Sequence, residues 1–304
     1  MKKSMLILLI TISVTASAGA CPICGCGGGN VYFGLFPNFK SKFIGLRYNY
    51  AGYHTQLAND ETQFSTNHYN STEIWGGFNV GRKFKVLAFI PYYSNKQIDD
   101  DGTTYKNGLG DITLMGQYLL WDDIKTINAG KAVQQQFWIG GGVKLATGSF
   151  NIDPKDSATT VADINAQLGT GSTDFLLNVL YSISAGNFGV STSATYKINT
   201  LNKDQYKYGD KFSTNCIAYY RIAVKKNSIS PNLGVEYESV SGNSLDSKKV
   251  QYTGSHLNTA IAGVELGFNK IALGLNAQIP MEQNFAEGQT KLKFKAMAHI
   301  TFSL

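Results

Sequence analysis

Charge is scarce in this sequence. Asp, Glu, Lys and Arg together make up 16% of its 304 residues, against about a quarter in a soluble domain. Long apolar runs are missing too. None reaches the ~18 residues that a spanning helix needs, which excludes a helical membrane bundle. Proline is rare, with 6 against 32 glycines, and histidine occurs only four times. There is no phosphate loop and no zinc-protease or dinucleotide signature. What is present is apolar and aromatic: the chain is 43% hydrophobic, with 17 Tyr and 17 Phe. That is too hydrophobic for a disordered protein, and the Gly, Tyr and Phe enrichment points to strands and tight turns.

The first twenty residues form an address. Lys2 and Lys3 make a basic start, Met5 to Val14 a short apolar core, and Ala18-Gly19-Ala20 a cleavage site. This is the pattern of a secretory signal peptide. Its removal takes away two Lys and no acid, so the formal charge of +6 falls by two. The remaining charge is mild and dispersed, which gives no basis for nucleic-acid binding. Cleavage leaves Cys21 first in the mature chain. A lipid anchor on it is an open alternative, although Ala18 stands where lipidation signals usually carry Leu.

Beyond residue 40 the pattern has period two. Ile44, Leu46, Tyr48 and Tyr50 alternate with Gly45, Arg47 and Asn49. Near the end, Leu292, Phe294, Ala296, Ala298, Ile300 and Phe302 alternate with Lys291, Lys293, Lys295, His299 and Thr301. Twelve strands are expected, at 42–55, 70–81, 85–96, 108–121, 133–147, 171–184, 187–199, 210–224, 228–240, 254–268, 270–279 and 290–303. Longer polar loops, such as 56–69 and 148–170, follow the odd strands. Tight turns follow most even ones, as at Gly81-Arg82-Lys83, with 122–132 the longer exception. Short turns on one side and long loops on the other are the signature of an all-β, up-and-down antiparallel transmembrane barrel of the bacterial outer membrane. Closure satisfies every backbone group in lipid. A secreted two-sheet protein would also alternate, but with shorter strands and less regular loops. The expected organisation is a signal peptide at 1–20, a Cys/Gly-rich periplasmic segment at 21–41 and the barrel at 42–304. The even strand count puts both termini in the periplasm. Residues 254–268 change parity midway, with Leu257 and Ile261 on one face and Val264, Leu266 and Phe268 on the other.

Three segments carry a likeness: Gly108-Leu109-Gly110-Asp111, Gly140-Gly141-Gly142-Val143-Lys144-Leu145-Ala146-Thr147-Gly148, and Gln167-Leu168-Gly169-Thr170-Gly171-Ser172-Thr173-Asp174. Together they resemble the outer-membrane transporter-like family named for the meta-pathway of phenol degradation, distantly akin to long-chain fatty-acid channels. The likeness covers roughly residues 40–304. It implies a channel or transporter barrel with small, hydrophobic molecules as cargo. The chain departs from the fatty-acid channels in strand number and in having only about twenty residues between the cleavage site and the first strand.

Two groups of residues are candidates for chemistry. Cys21, Cys24 and Cys26 put three thiols within six residues, ahead of a Gly-rich tether. They can wrap one soft metal such as Cu(I) or Zn, with the amine of Cys21 as a fourth donor. A disulfide formed in the oxidising periplasm and a lipid anchor remain open beside it. Cys216 lies on an apolar parity and receives no role. The second group lines the lumen: Arg47, Asp111, Lys144, Lys197, Arg221, Glu236, Glu238, Lys291, Lys293, Lys295 and His299 fall on the inward parity. Such charges tune solute selectivity or pair across a narrow lumen and fill it. The row Lys291-Lys293-Lys295 calls for anionic partners, either Glu236, Glu238 and Asp111 or an anionic solute. Pro91, Pro231 and Pro280 mark bulges, strand ends or kinks.

An enzyme is not expected. Ser255 and His256 are neighbours on a strand and so point to opposite faces, and His299 has no evident acid partner. The leading expectation is an outer-membrane channel or transporter-like barrel for a small solute, embedded in lipid, with a Cys-rich periplasmic N-terminus that binds a soft metal. The alternative is a non-conducting accessory protein whose Cys-rich tether does the work.

Overall fold

The computed structural model describes residues 42–304 apart from 58–59, 100–101, 128–130 and 157–160. Twelve antiparallel strands close into a barrel. The first seven are Phe43–Leu57, Asp60–Val80, Phe84–Asp99, a split fourth strand (Gly102–Leu109 and Thr113–Ile127), Lys131–Lys144, Asp174–Ala185 and Phe188–Ile198. The eighth is again split (Lys211–Tyr220 and Ile222–Val224), and Asn227–Val240, Ser255–Phe268, Ile271–Phe285 and Thr290–Ser303 follow. Each pairs with the next. The twelfth returns to the first, from Phe43 opposite Ser303 to Thr55 opposite Thr290. Among the described residues no helix is long and apolar enough to cross a membrane.

The alternation maps onto two environments. Ile44, Leu46, Ile74, Phe78, Leu177 and Leu233 stand exposed on the outer wall. An apolar band of this extent on a water-facing protein would be an aggregation surface, whereas on a barrel it is the lipid face. Cys216 is exposed on this wall as well. Short turns at one end use left-handed backbone at Gly81, Gly186, Lys225 and Asn269, the geometry that suits the twist of tight hairpins.

The structure revises several expected boundaries. Residues 60–69, 97–99 and 102–107 form strand rather than loop, with Leu57 opposite Asp60 and Asp99 opposite Gly102. Runs such as Ser65-Thr66-Asn67-His68 are polar on both faces, so they pair without showing a period of two. Most of the expected long turn at 122–132 is strand, since the flanking strands run to Ile127 and from Lys131. No change of parity occurs within Ser255–Phe268: Leu257, Thr259, Ile261 and Glu265 are all buried inside the barrel. Apolar residues simply face inward in its first half. The irregularity sits in the neighbouring strand, where Asn258 faces Glu282 and Thr259 faces Pro280. Pro91 lies beside the break in the fourth strand, and its carbonyl accepts the Gly110 N–H at 2.8 Å. Pro231 stays within its strand, opposite Val264.

The long loops build a cap at the other end. Tyr206–Lys207, Ser244–Leu245 and Lys248–Lys249 form a small antiparallel sheet. It packs with the loop that carries the helix Val161–Asn165 around Phe150, Ile164, Tyr206 and Tyr208. The Tyr208 hydroxyl donates to the Ile164 carbonyl at 2.8 Å, and the Asn243 amide donates to Tyr206 Oη at 2.7 Å.

Candidate functional site: the barrel lumen

The inner wall sets apolar clusters among buried polar groups. From the first six strands, Phe43, Trp75, Leu87, Phe89, Met115, Leu119, Trp138, Leu176 and Leu180 form one buried apolar cluster. Phe43 meets Trp75 edge to face, with ring centroids 4.9 Å apart. The last six strands turn in Ser193, Thr195, Asn232, Glu236 and Asn276 with two smaller apolar clusters, Ile217, Ile261 and Met297, and Leu257, Phe285 and Leu292 with Tyr53 of the first strand.

The densest polar network is built by the three Gly-rich segments. Lys144 Nζ lies 2.5 Å from Asp111 Oδ2 and 2.9 Å from Asp174 Oδ2, and it also donates to Thr170 Oγ1. Asp111 accepts backbone N–H groups from Gly148 and Thr170, both at 2.9 Å. Asp174 accepts from Ser172 Oγ at 2.8 Å and from the Thr200 N–H at 3.0 Å. All three charged side chains are essentially sealed from solvent. The network pins the loop between the fifth and sixth strands to the break in the fourth. Backbones approach closely there: a Cβ added at Gly169 would sit 2.5 Å from the Gly148 carbonyl and 2.6 Å from Asp111 Oδ1.

A second set links side chains on neighbouring strands around the seam where the twelfth strand meets the first. Arg47 pairs with Glu73 and lies over Trp75, 5.0 Å from the ring centroid. His299 Nε2 lies 3.1 Å from Glu265 Oε2, reaching across the intervening eleventh strand at Gly274. Only the missing side chain of Gly274 permits this pair, because a Cβ there would fall 2.5 Å from both Glu265 Oε1 and His299 Cε1. A third set joins Glu238 to Lys295 at 3.1 Å and to Lys211 at 3.5 Å, with Gln278 donating to Glu236 at 3.0 Å. Across the sixth strand, Gln117 donates to Asn178 at 2.7 Å, and Asn178 donates to Thr195 at 2.9 Å.

The sequence-derived lumen residues therefore divide. Arg47, Asp111, Lys144, Lys197, Glu236, Glu238, Lys295 and His299 lie inside the wall. Arg221, Lys291 and Lys293 do not: all three are exposed. Arg221 sits at the break in the eighth strand, beside a short turn. Along the twelfth strand Gly52 faces Phe294 and Tyr53 faces Leu292, so Lys293 is the extra residue of a bulge. A bulge reverses parity beyond it, which turns Leu292 into the interior and Lys291 and Lys293 out of it. The expected row of three lysines is thus one interior lysine with its own acid. In a salt gradient across a bilayer, Lys295→Gln should shift the reversal potential toward cation preference by unmasking Glu238. Lys291→Gln and Lys293→Gln should leave it unchanged.

Inspection of single strands missed Glu73, Lys85, Thr170, Asp174 and Glu265. Glu73 shares its face with Trp75, and Asp174 ends a Gly-rich segment, so both carried a usable signal. His299 has the acid partner that its own strand did not reveal. Cys21, Cys24 and Cys26 lie outside the described residues. Among the described residues there is no group of three His, Cys, Asp or Glu placed to hold a metal.

A closed barrel with an apolar outer band and a polar, ion-paired interior defines an outer-membrane channel-like protein. A family model described as "Putative MetA-pathway of phenol degradation" matches residues 42–288, and the chain belongs to that family. Among solved structures it is similar to the COG4313 outer membrane channel from Pseudomonas putida F1. That match has 12% identity and a TM-score of 0.59 over 89% of this chain and 100% of that one. It is also similar to the beta domain of the Bordetella autotransporter Brka, at 11% identity and a TM-score of 0.47 over 87% and 100%. The NanC porin follows at 10% identity and 0.41 over 86% and 100%. No curated protein matches. At these identities the structural likeness establishes the fold.

Proposed function

We propose that this barrel passes a small organic solute, part apolar and part polar, across the outer membrane. Its N-terminus would lie in the periplasm, and the protein would have no catalytic role. The carrying observation is an inner wall that sets a cluster of nine apolar side chains beside buried Asn, Ser, Thr and charged groups. A porin for sugars or ions has no use for Trp75, Leu87 and Trp138 facing inward, since porin interiors are polar. The membership in a family named for phenol degradation agrees with an aromatic cargo. Proteoliposome swelling tests the reading. An aromatic carboxylate should enter at least tenfold faster than a sugar of like mass, and equal rates would contradict it.

One observation favours a second reading, a non-conducting accessory protein. The Arg47–Glu73 pair and the Lys144 network are shut away from solvent, as in a lumen filled by its own side chains. In either reading we propose Cys21, Cys24 and Cys26 as ligands for Cu(I) or Zn. The reduced protein should bind one equivalent in a chelator-competition titration. A Cys24→Ser, Cys26→Ser variant should bind none, and equal binding by both would remove the site.

A further inference from the structure

We propose that a basic collar around the short-turn end of the barrel holds anionic phospholipid headgroups of the surrounding leaflet. The short turns carry the charge. Arg82 and Lys83 form one of them, Lys225 and Lys226 another, and Lys270 closes a third. Arg221 sits against the fourth, where its backbone N–H donates to the Asn187 carbonyl at 2.7 Å. Lys42 enters the first strand at the same end, and all of these side chains are exposed. The acidic side chains there do not answer them. Among the described residues of this end outside the lumen they are Asp122 and Asp123, near the end of the fourth strand. Asp123 is taken by Lys125 of its own strand at 3.2 Å, and Asp122 accepts from Gln136 at 3.1 Å. The long-loop end mixes both signs instead: Lys155 pairs with Asp246 at 3.0 Å, and Glu282 stands exposed beside His256.

The height of the collar on the wall identifies its partner. Each basic stretch borders the outward apolar band: Val80 and Phe84 flank Arg82 and Lys83, Tyr220 and Ile222 flank Arg221, and Phe268 and Ile271 flank Lys270, all with exposed side chains. Two of the ammonium groups lie over aromatic rings of that band. Lys42 Nζ is 4.4 Å from the Phe78 centroid, and Lys83 Nζ is 5.9 Å from that of Tyr118. Basic side chains laid along apolar surface carry their heads to the interface, and outward aromatic residues mark that level on a barrel. Lipid phosphates occupy it. A zwitterionic headgroup brings its own cation for each phosphate, so a rim with surplus cations favours headgroups of net negative charge. A soluble acidic partner would meet only the turn tips and would have no use for cations laid on the lipid-facing wall. With the N-terminus in the periplasm, the leaflet concerned is the inner one. Binding of this kind needs no conduction through the lumen.

Spin-label electron paramagnetic resonance on the folded protein tests this, because it resolves lipid held against the wall from free lipid. The probes are spin-labelled phosphatidylglycerol and spin-labelled phosphatidylcholine, each in phosphatidylcholine vesicles. The parent should hold phosphatidylglycerol about threefold more strongly, and the preference should fade at ~1 M NaCl, where the Debye length is about 3 Å. A variant with Arg82→Gln, Lys83→Gln, Lys225→Gln, Lys226→Gln and Lys270→Gln should hold both lipids alike. These are exposed turn positions, where substitutions are well tolerated, and heat-dependent gel mobility verifies that the barrel has folded. A variant with Lys291→Gln and Lys293→Gln, at the long-loop end, should keep the parent's preference. Equal association of both lipids with the parent, or an undiminished preference in the turn variant, would overturn the proposal. Loss of the preference in the Lys291→Gln, Lys293→Gln variant would overturn it as well, by moving the lipid site to the other end.

Discussion

Lys144→Met is expected to cost the folded barrel about 3–5 kcal/mol, the penalty for leaving buried carboxylates without their cation. Asp111 and Asp174 would face each other in the space Lys144 Nζ now fills, at 2.5 Å from one and 2.9 Å from the other. The backbone N–H groups of Gly148, Thr170 and Thr200 would still reach them but carry no full charge. Because this network ties the loop 145–173 to the wall, the loss should appear locally first. Protease should cut that loop in the variant under conditions that spare the parent, and the urea midpoint in detergent should fall. Adding Asp111→Asn and Asp174→Asn to Lys144→Met removes the stranded charges and should recover part of the stability. No recovery would mean that the cluster holds the loop by packing rather than by charge.

Gly274→Val is the second large effect, expected at about 3 kcal/mol from overpacking combined with a broken buried pair. The new side chain must enter a gap already occupied by Glu265 and His299. Neither can retreat without giving up the 3.1 Å contact that spans the eleventh strand. Gly141→Ala is the matched control. A Cβ there meets only the Leu176 carbonyl at 3.5 Å, so the change should be neutral or stabilise by about 0.5 kcal/mol through the chain entropy that Gly otherwise loses. Unfolding midpoints of the three proteins decide the matter. Equal midpoints for Gly274→Val and Gly141→Ala would show that the interior is looser than its distances state.

The architecture was legible because lipid outside and polar groups inside impose one rule on every strand. All twelve strands were recoverable from that rule and the spacing of turns. It failed at strand ends that are polar on both faces, as at Ser65-Thr66-Asn67-His68, where nothing alternates. It failed again at Lys293. A single bulge reverses the faces of Lys291, Leu292 and Lys293 without altering the apolar–basic alternation that suggested three inward lysines. The site was less legible for a different reason. Asp111 and Lys144 could be found singly, but their joint role depends on Asp174 and Thr170, which only the closed barrel brings to them. Glu265 meets His299 because an intervening Gly leaves room, a relation among three strands that no one strand displays. The inward tryptophans likewise gain their meaning only as a patch assembled from six strands.

The central claim is that this barrel conducts. The most direct measurement is single-protein conductance of the folded protein in a planar bilayer. The account predicts discrete, reproducible opening steps. Silence, with barrel folding verified by heat-dependent gel mobility, would contradict it and leave an accessory role for the Cys-rich tether.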